Sequence, residues 1–565
     1  MGGSKKIIVI GGSAAGPKAA ARARRLDENA EITIIQKSKY LSMASCGYPY
    51  YVGGVFNDRN QLISAPTGAI RDPNFFQNAK AIKVYNETKA IEIDRENKRV
   101  KCVNLKENFE FDLSYDKLII ATGAIPRIPN LPGKDLKGIT TLQSMEDADY
   151  LRKIRDEKKI KKAVVIGGGL IGIETCEALQ LAGIEITVIE QESQILMFLD
   201  PELAKIMENH IKSKMANVIT NNAVAEFLGE NGKLTGVKLK NGTELPCELA
   251  VVAVGVTPNT KLAEKAGIKI GDWRGIEVNE FMQTSDENIY AVGDCVEITN
   301  LITNHKTNAP YGDLANLEGR VAGENAVRGN KKKFKGTIHT GICKVFDFSA
   351  GSTGLSEFKA KKIGLDVSSV IIAGPDKPGF MKGKILISKI TADNKTGRLL
   401  GFQCVGAGDV SKQVAQAAVA IIGKMELSEL VNLDLPYAPP FTLAIDNFIA
   451  ACHTLENKMG GLFKGISSFE VYDKFTNKED VLFLDVRLPQ EYEEMRLGIG
   501  ETLIPLGALR KRLNELPADK NKEIIAYCKI SLRGYEAARI LQANGWNNVK
   551  VMEGGILAWP FHREK

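Results

Sequence analysis

The feature that most constrains the fold is a glycine-rich loop set between a short apolar strand and an apolar helix. Residues 163–174 read AVVIGGGLIGIE, with glycines at Gly167, Gly169 and Gly172. This spacing allows a tight turn, a close approach of the backbone to a pyrophosphate, and tight packing of helix on strand. The segment therefore predicts a strand, turn and helix that bind a dinucleotide.

The strand after this loop predicts which dinucleotide binds. Residues 185–189 are apolar and end at Glu190, 18 residues past Gly172 (190 − 172). An acidic side chain there accepts hydrogen bonds from a ribose 2′-hydroxyl and repels a 2′-phosphate. NADH is therefore favoured, and NADPH remains possible.

A second, less complete copy of the pattern lies near the N-terminus. Residues 7–16 read IIVIGGSAAG, followed by an Ala/Arg-rich helix over 17–26 and a strand over 31–35. The helix N-terminus is expected to meet a pyrophosphate. The expected nucleotide contacts are Gly11, Ser13, Ala14, Gly16 and Gln36. Ser13 replaces the middle glycine, and Gln36 stands where an acid usually holds the ribose.

Three later segments indicate FAD. Residues 118–124 and 251–259 each run from a strand into a small-residue turn, as where a chain crosses between two nucleotide domains. A further strand ends at Asp294, which is suited to hold a flavin ribityl chain. The contacts expected here are Thr122, Gly123, Gly293 and Asp294. The ordered set resembles the pyridine nucleotide-disulfide oxidoreductases, which implies a path from NADH through FAD to a sulfur atom.

The sulfur expected in that path is Cys46, in the segment KYLSMASCGYPY over residues 39–50. Cys46 is expected to open a helix, whose N-terminus favours the nucleophilic thiolate. No second cysteine follows within the next turn, so the oxidised partner of Cys46 must come from another molecule. The alternative is a buried structural cysteine.

This segment resembles the single-cysteine branch of the family over roughly residues 5–450. The branch includes coenzyme A disulfide reductases, NADH oxidases and NADH peroxidases. The oxidases and peroxidases carry a histidine in the first glycine loop where this chain has Ala14. The resemblance therefore favours a reductase of disulfides or persulfides.

The resemblance also implies substrate-binding residues. A Tyr-Ala-Pro-Pro segment begins at Tyr437, which is expected to stabilise a departing thiolate across a dimer interface; the alternative is a core tyrosine. A second family tyrosine is absent from 374–381, and Ile445 replaces an expected basic residue. Contacts with coenzyme A map to Lys18, Arg22, Arg25, Ser42 and Ser45. As an alternative, the three basic residues form a solvated helix face.

The last hundred residues form a separate α/β pattern. A strand over 481–487 ends in Asp-Val-Arg, and another over 524–527 leads into CKISLRG at 528–534. A cysteine followed by a curl into a helix collects backbone N–H groups around one centre, and Arg533 closes it. With residues 553–559, the pattern resembles a rhodanese and implies a persulfide on Cys528. The Gly-His-Ile and Ser-Gly signatures of rhodaneses are missing, so an inactive module is the alternative. A phosphatase loop would need one more residue between Cys528 and Arg533.

Composition limits the remaining possibilities. The net charge of +7 over 565 residues does not indicate nucleic-acid binding. Nine scattered cysteines without a CxxC pair indicate neither a metal site nor a disulfide framework. The first strand begins at Lys6 and no apolar run has membrane-span length, so we expect a soluble cytoplasmic protein without membrane partners.

Together these features predict an α/β chain with two Rossmann-like dinucleotide-binding domains, an α+β dimerisation domain and a C-terminal α/β rhodanese domain. The expected boundaries are 1–150 with 250–330 for FAD, 151–249 for NAD(H), 331–455 for dimerisation, 456–466 for a linker, and 467–565 for the rhodanese. The expected protein is a homodimeric, FAD-containing, NADH-dependent reductase of coenzyme A disulfide, persulfides or polysulfide. The alternatives are an NADH oxidase or peroxidase using a cysteine sulfenic acid, and a non-enzymatic redox sensor or sulfur-carrier scaffold.

Overall fold

The computed structural model describes residues 4–565, which form two compact units. The first unit runs to Gln191 and resumes over Asn222–Thr337; the second comprises Glu192–Asn221 and Ile338–Lys565. Within the described residues, no helix is both long enough and apolar enough to cross a membrane.

The first unit begins with a five-stranded parallel sheet. The inner residues of its strands are mostly apolar and buried, as expected for a parallel sheet covered by helices. In spatial order they are Ile289–Ala291, Lys117–Ile120, Lys6–Ile10, Glu31–Ile35 and Ile82–Tyr85.

Two helices pack closely on this sheet, Ala15–Leu26 and Gly312–Arg328. They approach at Gly319 and Gly323, one turn apart, where an added Cβ would lie 2.3 Å from the carbonyl oxygens of Ala15 and Ala19. Any larger residue at these two positions would force the helices apart.

A second parallel sheet repeats the arrangement. Its strands in the first unit are Glu185–Ile189, Lys162–Ile166, Leu249–Val252 and Ile139–Thr140, accompanied by helices Met145–Glu157 and Leu170–Gln180. In both sheets the strand before the glycine loop pairs in parallel with the strand after the helix.

The two segments in which the chain crosses between the parallel sheets pair with each other. Ala124–Pro126 pairs antiparallel with Val256–Pro258, and Thr122 Oγ1 donates a 2.7 Å hydrogen bond to the carbonyl of Asn259. This unit is completed by smaller elements: helices Tyr48–Gly53, Pro73–Lys80 and Lys261–Lys265, and strands Thr88–Asp94, Arg99–Asn104, Glu110–Ser114, Val224–Glu230, Lys233–Leu239, Glu244–Pro246, Ile276–Glu277, Val296–Thr299 and Lys306–Thr307.

The second unit contains an antiparallel five-stranded sheet. In spatial order its strands are Gly341–Val345, Phe348–Gly354, Leu399–Gly406, Ile385–Asp393 and Val367–Pro375. The associated helices are Pro201–Ser213, Glu357–Lys362, Val410–Gly423, Leu427–Leu430 and Asn447–Met459.

The C-terminal part of this unit is a parallel sheet between helices. Its strands in order are Lys464–Ile466, Val549–Met552, Glu523–Tyr527, Val481–Asp485 and Thr502–Leu503. Its helices are Ser468–Thr476, Pro489–Glu494, Leu506–Leu509 and Leu532–Ala543.

The stretch 456–466, expected as a linker from its polar composition, consists mostly of regular secondary structure. The helix Asn447–Met459 continues into it and the strand Lys464–Ile466 closes it. One of its polar residues is an ion-pair partner, since Lys458 Nζ lies 2.5 Å from the Glu553 carboxylate. Only residues 460–463 connect the two elements.

Candidate active site

The first glycine loop has the shape that a dinucleotide requires. Gly11 has φ +115°, and an added Cβ would lie 2.0 Å from the Ala121 carbonyl oxygen. At Gly16 an added Cβ would lie 1.9 Å from the Gly11 carbonyl oxygen. These contacts make glycine necessary at both positions.

Ser13 fits this loop without strain. Its counterpart in the second loop is Gly169, where φ is −77° and an added Cβ would meet nothing within 4 Å. The middle position therefore tolerates a side chain, unlike Gly167, where a Cβ would lie 2.4 Å from the Ala253 carbonyl oxygen, or Gly172.

Both loops present free helix N-termini. The helix after Ala14 and the helix after Gly169 have no side-chain cap and no acidic residue in the first turn. Their first N–H groups and the helix dipole are thus available to an anion such as a pyrophosphate. This donor arrangement fits FAD at the first loop and a nicotinamide dinucleotide at the second.

The residue at the end of the following strand braces each loop. Gln36 Oε1 accepts a 2.8 Å hydrogen bond from the Gly12 amide, and Glu190 Oε2 accepts one of 2.7 Å from the Gly168 amide. Gln36 is buried, and its Nε2 donates to Ser38 Oγ.

The turn Gly293–Asp294 rests on a glutamate that sequence reasoning missed. Glu318 is 2 % exposed, and its Oε2 accepts a 2.6 Å hydrogen bond from the Gly293 amide. Burial raises the pKa of Glu318 to about 8. Burial also raises the pKa of Asp294. Gly123 lies in the small-residue turn after the strand Lys117–Ile120. It adopts φ +67°, and an added Cβ there would meet no atom within 4 Å.

Cys46 is an exposed free thiol at the start of a helix, as predicted. It lies in the 3₁₀ turn Ser45–Gly47, which leads directly into the helix Tyr48–Gly53. The Ser42 amide donates a 2.7 Å hydrogen bond to the carbonyl of Gly12, so this segment is tied to the first nucleotide loop. All nine cysteines lie within the described residues, and all are free thiols.

The helix that follows Cys46 packs on the helix of the second nucleotide loop. At Gly53 an added Cβ would lie 3.3 Å from Ala178 Cα, and Tyr50 Oη donates a 3.3 Å hydrogen bond to Glu174. Burial raises the pKa of Glu174 to about 7. The segment that carries Cys46 and the second glycine loop therefore belong to one packed assembly, although 124 residues separate Tyr50 from Glu174.

The expected coenzyme A contacts differ in their surroundings. Arg22 is half-buried and forms an ion pair of 2.6 Å with Glu324. Arg25 and Ser45 are exposed, and Lys18 and Ser42 are partly exposed. Ser42 adopts φ +49°.

Tyr437 lies in the second unit with its side chain 55 % exposed. It lines a cavity of about 330 Å³ formed by residues 431–437, 442–446 and 449. Asp446 anchors this segment, because it accepts hydrogen bonds from Thr442 Oγ1 at 2.7 Å and pairs with Lys412 Nζ at 2.8 Å. Tyr437 is therefore a surface residue on a well-anchored loop.

The loop expected to form the cradle follows Glu523–Tyr527 and leads into the helix Leu532–Ala543. Cys528 is buried, and its carbonyl accepts a 2.9 Å hydrogen bond from the Ile556 amide. Gly555 has to be glycine, because an added Cβ would lie 2.4 Å from the Cys528 carbonyl oxygen. Ser531 adopts φ +86°, a strained conformation for a residue with a side chain.

Arg533 closes the cradle and has a carboxylate partner that the sequence did not reveal. Its Nη1 and Nη2 lie 2.6 Å and 2.8 Å from the two carboxylate oxygens of Glu491. This hydrogen bond raises the pKa of Arg533, which also interacts with Cys528. Among the described residues, no group of His, Cys, Asp or Glu is arranged to hold a metal ion.

Known sequence families match three consecutive parts of the chain. Residues 5–309 match the family described as pyridine nucleotide-disulphide oxidoreductase, residues 340–448 its dimerisation domain, and residues 468–560 the rhodanese-like domain. The chain therefore belongs to the pyridine nucleotide-disulphide oxidoreductases and carries a rhodanese-like domain after the dimerisation domain. The predicted family and fold class are confirmed.

Individual relatives include both reductases and an oxidase. The structure of an NAD-dependent persulfide reductase from A. fulgidus is similar over 98 % of this chain and 100 % of its own, with 43 % identity and a TM-score of 0.93. An NAD(P)H coenzyme A polysulfide/persulfide reductase from Pyrococcus horikoshii is 34 % identical over 80 % of this chain and 98 % of its own. An NADH oxidase from Methanocaldococcus jannaschii is 35 % identical over 78 % of this chain and 96 % of its own.

These relatives confirm that the chain is an NAD(P)H-dependent oxidoreductase of a family that uses FAD and NAD. The persulfide reductase structure matches nearly the whole chain, whereas the oxidase matches 78 % of it. Further relatives are named coenzyme A disulfide reductase. The oxidase alternative therefore fits the homologues less well than the reductase prediction.

Proposed function

We propose that this protein is a cytoplasmic homodimer that uses NADH to reduce coenzyme A persulfide, coenzyme A disulfide or polysulfide at Cys46. The observation that carries the proposal is the setting of Cys46, an exposed free thiol at a helix start, tied to the first nucleotide loop. When bound, FAD supplies two-electron transfer between the nicotinamide and sulfur.

Cys46 acts as the nucleophile of this reaction. Its thiolate attacks the sulfane or disulfide sulfur of the substrate, which forms a bond to Cys46 Sγ and releases a thiolate. The N-terminal end of the helix Tyr48–Gly53 stabilises the anionic sulfur. Two electrons from NADH then break the new S–S bond, which restores the Cys46 thiolate and releases hydrosulfide from a persulfide or the second coenzyme A thiolate from the disulfide.

The remaining site residues bind the substrate and complete the dimer. Lys18 and Arg25 pair with the phosphates of coenzyme A, with Arg22 joining them on release from Glu324. Ser42 and Ser45 hold the segment that carries the thiol. Tyr437 of one subunit donates a proton to the thiolate released at the other subunit's Cys46. The domain boundaries proposed from the sequence place the dimerisation domain at 331–455.

The rhodanese-like domain accepts sulfane sulfur. Cys528 lies in the loop before the helix Leu532–Ala543, and a persulfide formed there carries its negative charge beside Arg533. This domain thereby supplies or removes sulfane sulfur for the reductase.

The test is NADH oxidation coupled to release of thiol or sulfide. Wild-type holoenzyme is expected to consume NADH only when coenzyme A persulfide, its disulfide or polysulfide is present. Cys46→Ser is expected to lose this activity by at least about a thousandfold while keeping its bound flavin, and Cys528→Ser to keep NADH oxidation with coenzyme A disulfide. Full persulfide reduction by Cys46→Ser would rule out the mechanism.

The oxidase relative supports a second candidate, NADH oxidation by oxygen or peroxide. That activity requires a sulfenic acid at Cys46, detectable by mass spectrometry after exposure to peroxide. Oxygen or peroxide consumption faster than sulfur reduction would favour it.

A further inference from the structure

The cradle around Cys528 differs from a plain anion site because its arginine is already paired. Arg533 binds the carboxylate of Glu491 through both ends of its guanidinium fork, at 2.6 Å and 2.8 Å. The same two-point geometry is the one by which arginine binds an external oxyanion. An oxyanion donor must therefore displace Glu491 to use this fork.

Glu491 is held in place by its own helix. Its Oε2 accepts a 3.1 Å hydrogen bond from the Leu488 amide, within the N-terminal cap of Pro489–Glu494. Its carbonyl accepts a 2.9 Å hydrogen bond from Arg487 Nη1, and Arg487 is itself fixed by buried Asp485. The bond to Arg533 lowers the pKa of Glu491 to about 2, so the carboxylate stays ionised.

Two leucines close in sequence to this pair are exposed. Leu532, the first residue of the helix that carries Arg533, is 60 % exposed, and Leu488, which precedes the helix of Glu491, is 53 % exposed. Exposed leucines next to a neutralised arginine favour a donor with a hydrocarbon stem and low charge. Lys529 is the exposed cation in the loop.

We propose that Glu491 is a specificity-determining residue that makes Cys528 accept sulfane sulfur from alkyl persulfides in preference to dianionic thiosulfate. This inference rests on the proposed sulfane-sulfur function of the rhodanese-like domain. In the reaction, the Cys528 thiolate attacks the outer sulfur of R–S–SH. The Cys528 Sγ–S bond forms, the S–S bond to the stem breaks, and the stem leaves as a thiolate. With thiosulfate the leaving group is sulfite, whose three oxygens need the arginine fork.

The test compares two donors on full-length holoenzyme without NADH. Wild type is incubated with 2-hydroxyethyl persulfide or with thiosulfate, and the gain of one sulfur atom on the Cys528 peptide is followed by mass spectrometry. This readout separates Cys528 from Cys46. Wild type is expected to load from the persulfide at least about tenfold faster than from thiosulfate.

Glu491→Gln removes the charge and frees part of the fork, so it is expected to shift the ratio toward thiosulfate by about tenfold. Glu491→Asp keeps the charge and is expected to keep a ratio nearer to wild type. Glu493→Gln removes an exposed charge from the same helix and is expected to leave the ratio unchanged. Leu532→Lys adds a cation at an exposed position and is expected to favour thiosulfate even if the Glu491 variants do not fold.

The outcomes separate the two proposals. If wild-type Cys528 gains sulfur from neither donor, the proposed sulfane-sulfur function is wrong. The proposed role of Glu491 in donor selectivity is then wrong as well. If wild type loads, but Glu491→Gln and Leu532→Lys both leave the donor ratio unchanged, only the role of Glu491 is overturned.

Discussion

The Gln36 side chain accepts a 2.8 Å hydrogen bond from the Gly12 amide, just as Glu190 accepts one of 2.7 Å from the Gly168 amide. The two nucleotide sites thus use the same brace with different charges. A neutral amide suffices at the first loop, and we propose that the carboxylate at the second loop also favours NADH over NADPH. The brace and the discrimination are therefore separable by mutation.

Glu190→Gln is expected to raise kcat/KM for NADPH relative to NADH by at least about tenfold, because the amide keeps the Gly168 hydrogen bond but no longer repels a 2′-phosphate. Steady-state kinetics with both dinucleotides measures this ratio. Gln36→Glu is the matched control at the other loop and is expected to leave the ratio unchanged. An unaltered ratio in Glu190→Gln would show that other groups select the dinucleotide.

Glu318 predicts a pH dependence of stability. Its folded pKa of about 8 lies above the ordinary value of 4.5, because burial disfavours the charged form. Above about pH 4.5 the unfolded chain loses this proton while the folded chain keeps it, so stability falls until about pH 8 and then levels. Asp294 and Asp313 lie near enough to reinforce the shift.

Glu318→Gln is expected to reduce the loss of Tm between about pH 5.5 and about pH 8, by thermal unfolding of the holoenzyme. Glu324→Gln on the same helix is the control, because the bond from Arg22 lowers the pKa of Glu324. That variant is not expected to reduce the loss. An equal loss of Tm with rising pH in wild type and in Glu318→Gln would contradict the raised pKa of Glu318.

The parts predicted correctly from the sequence have local signals. Both glycine loops and the strand over 31–35 follow from glycine spacing and apolar runs within a few residues. The helix start at Cys46 follows from its position just after that second strand. These features are set by short stretches of chain and can be read without knowing the tertiary fold.

The missed residues are acids and lysines whose partners lie far along the chain. Glu491 meets Arg533 across 42 residues, and Lys389 meets Glu202 across 187. Lys389 is 3 % exposed within a central strand, although a lone lysine there suggests a solvent-facing position. A charged residue has the same sequence appearance whether it is solvated or buried with a partner, so only the fold distinguishes the two.

Thiol accessibility gives a direct check on the active-site assignment. Cys46 is the exposed cysteine, and the eight others are buried. A brief treatment of the native holoenzyme with iodoacetamide is expected to modify Cys46 first, with Cys528 slower by at least about tenfold. Peptide mass spectrometry measures both, and Cys46→Ser is expected to remove the fast phase. Faster modification of any other cysteine would contradict the exposure of Cys46.

Glu553 joins the rhodanese-like domain to the rest of the second unit. It is 5 % exposed and lies 2.5 Å from Lys458 Nζ, while its other oxygen accepts a 3.0 Å hydrogen bond from the Ile371 amide. Burial raises the pKa of Glu553, and Lys458 opposes this shift. The pair therefore stabilises the docking only while both partners are present.

Lys458→Met is expected to destabilise this docking by about 3–5 kcal/mol, because it leaves Glu553 buried beside an uncharged side chain. The measurement is the rate at which a protease cuts near Gly460 and Gly461, compared with thermal unfolding of the same variant. Glu456→Ala, an exposed position on the same helix, is the control and is expected to behave like wild type. Adding Glu553→Gln to Lys458→Met removes the unpaired acid and is expected to recover part of the loss. Cleavage of Lys458→Met no faster than that of Glu456→Ala would mean that other contacts hold the domain.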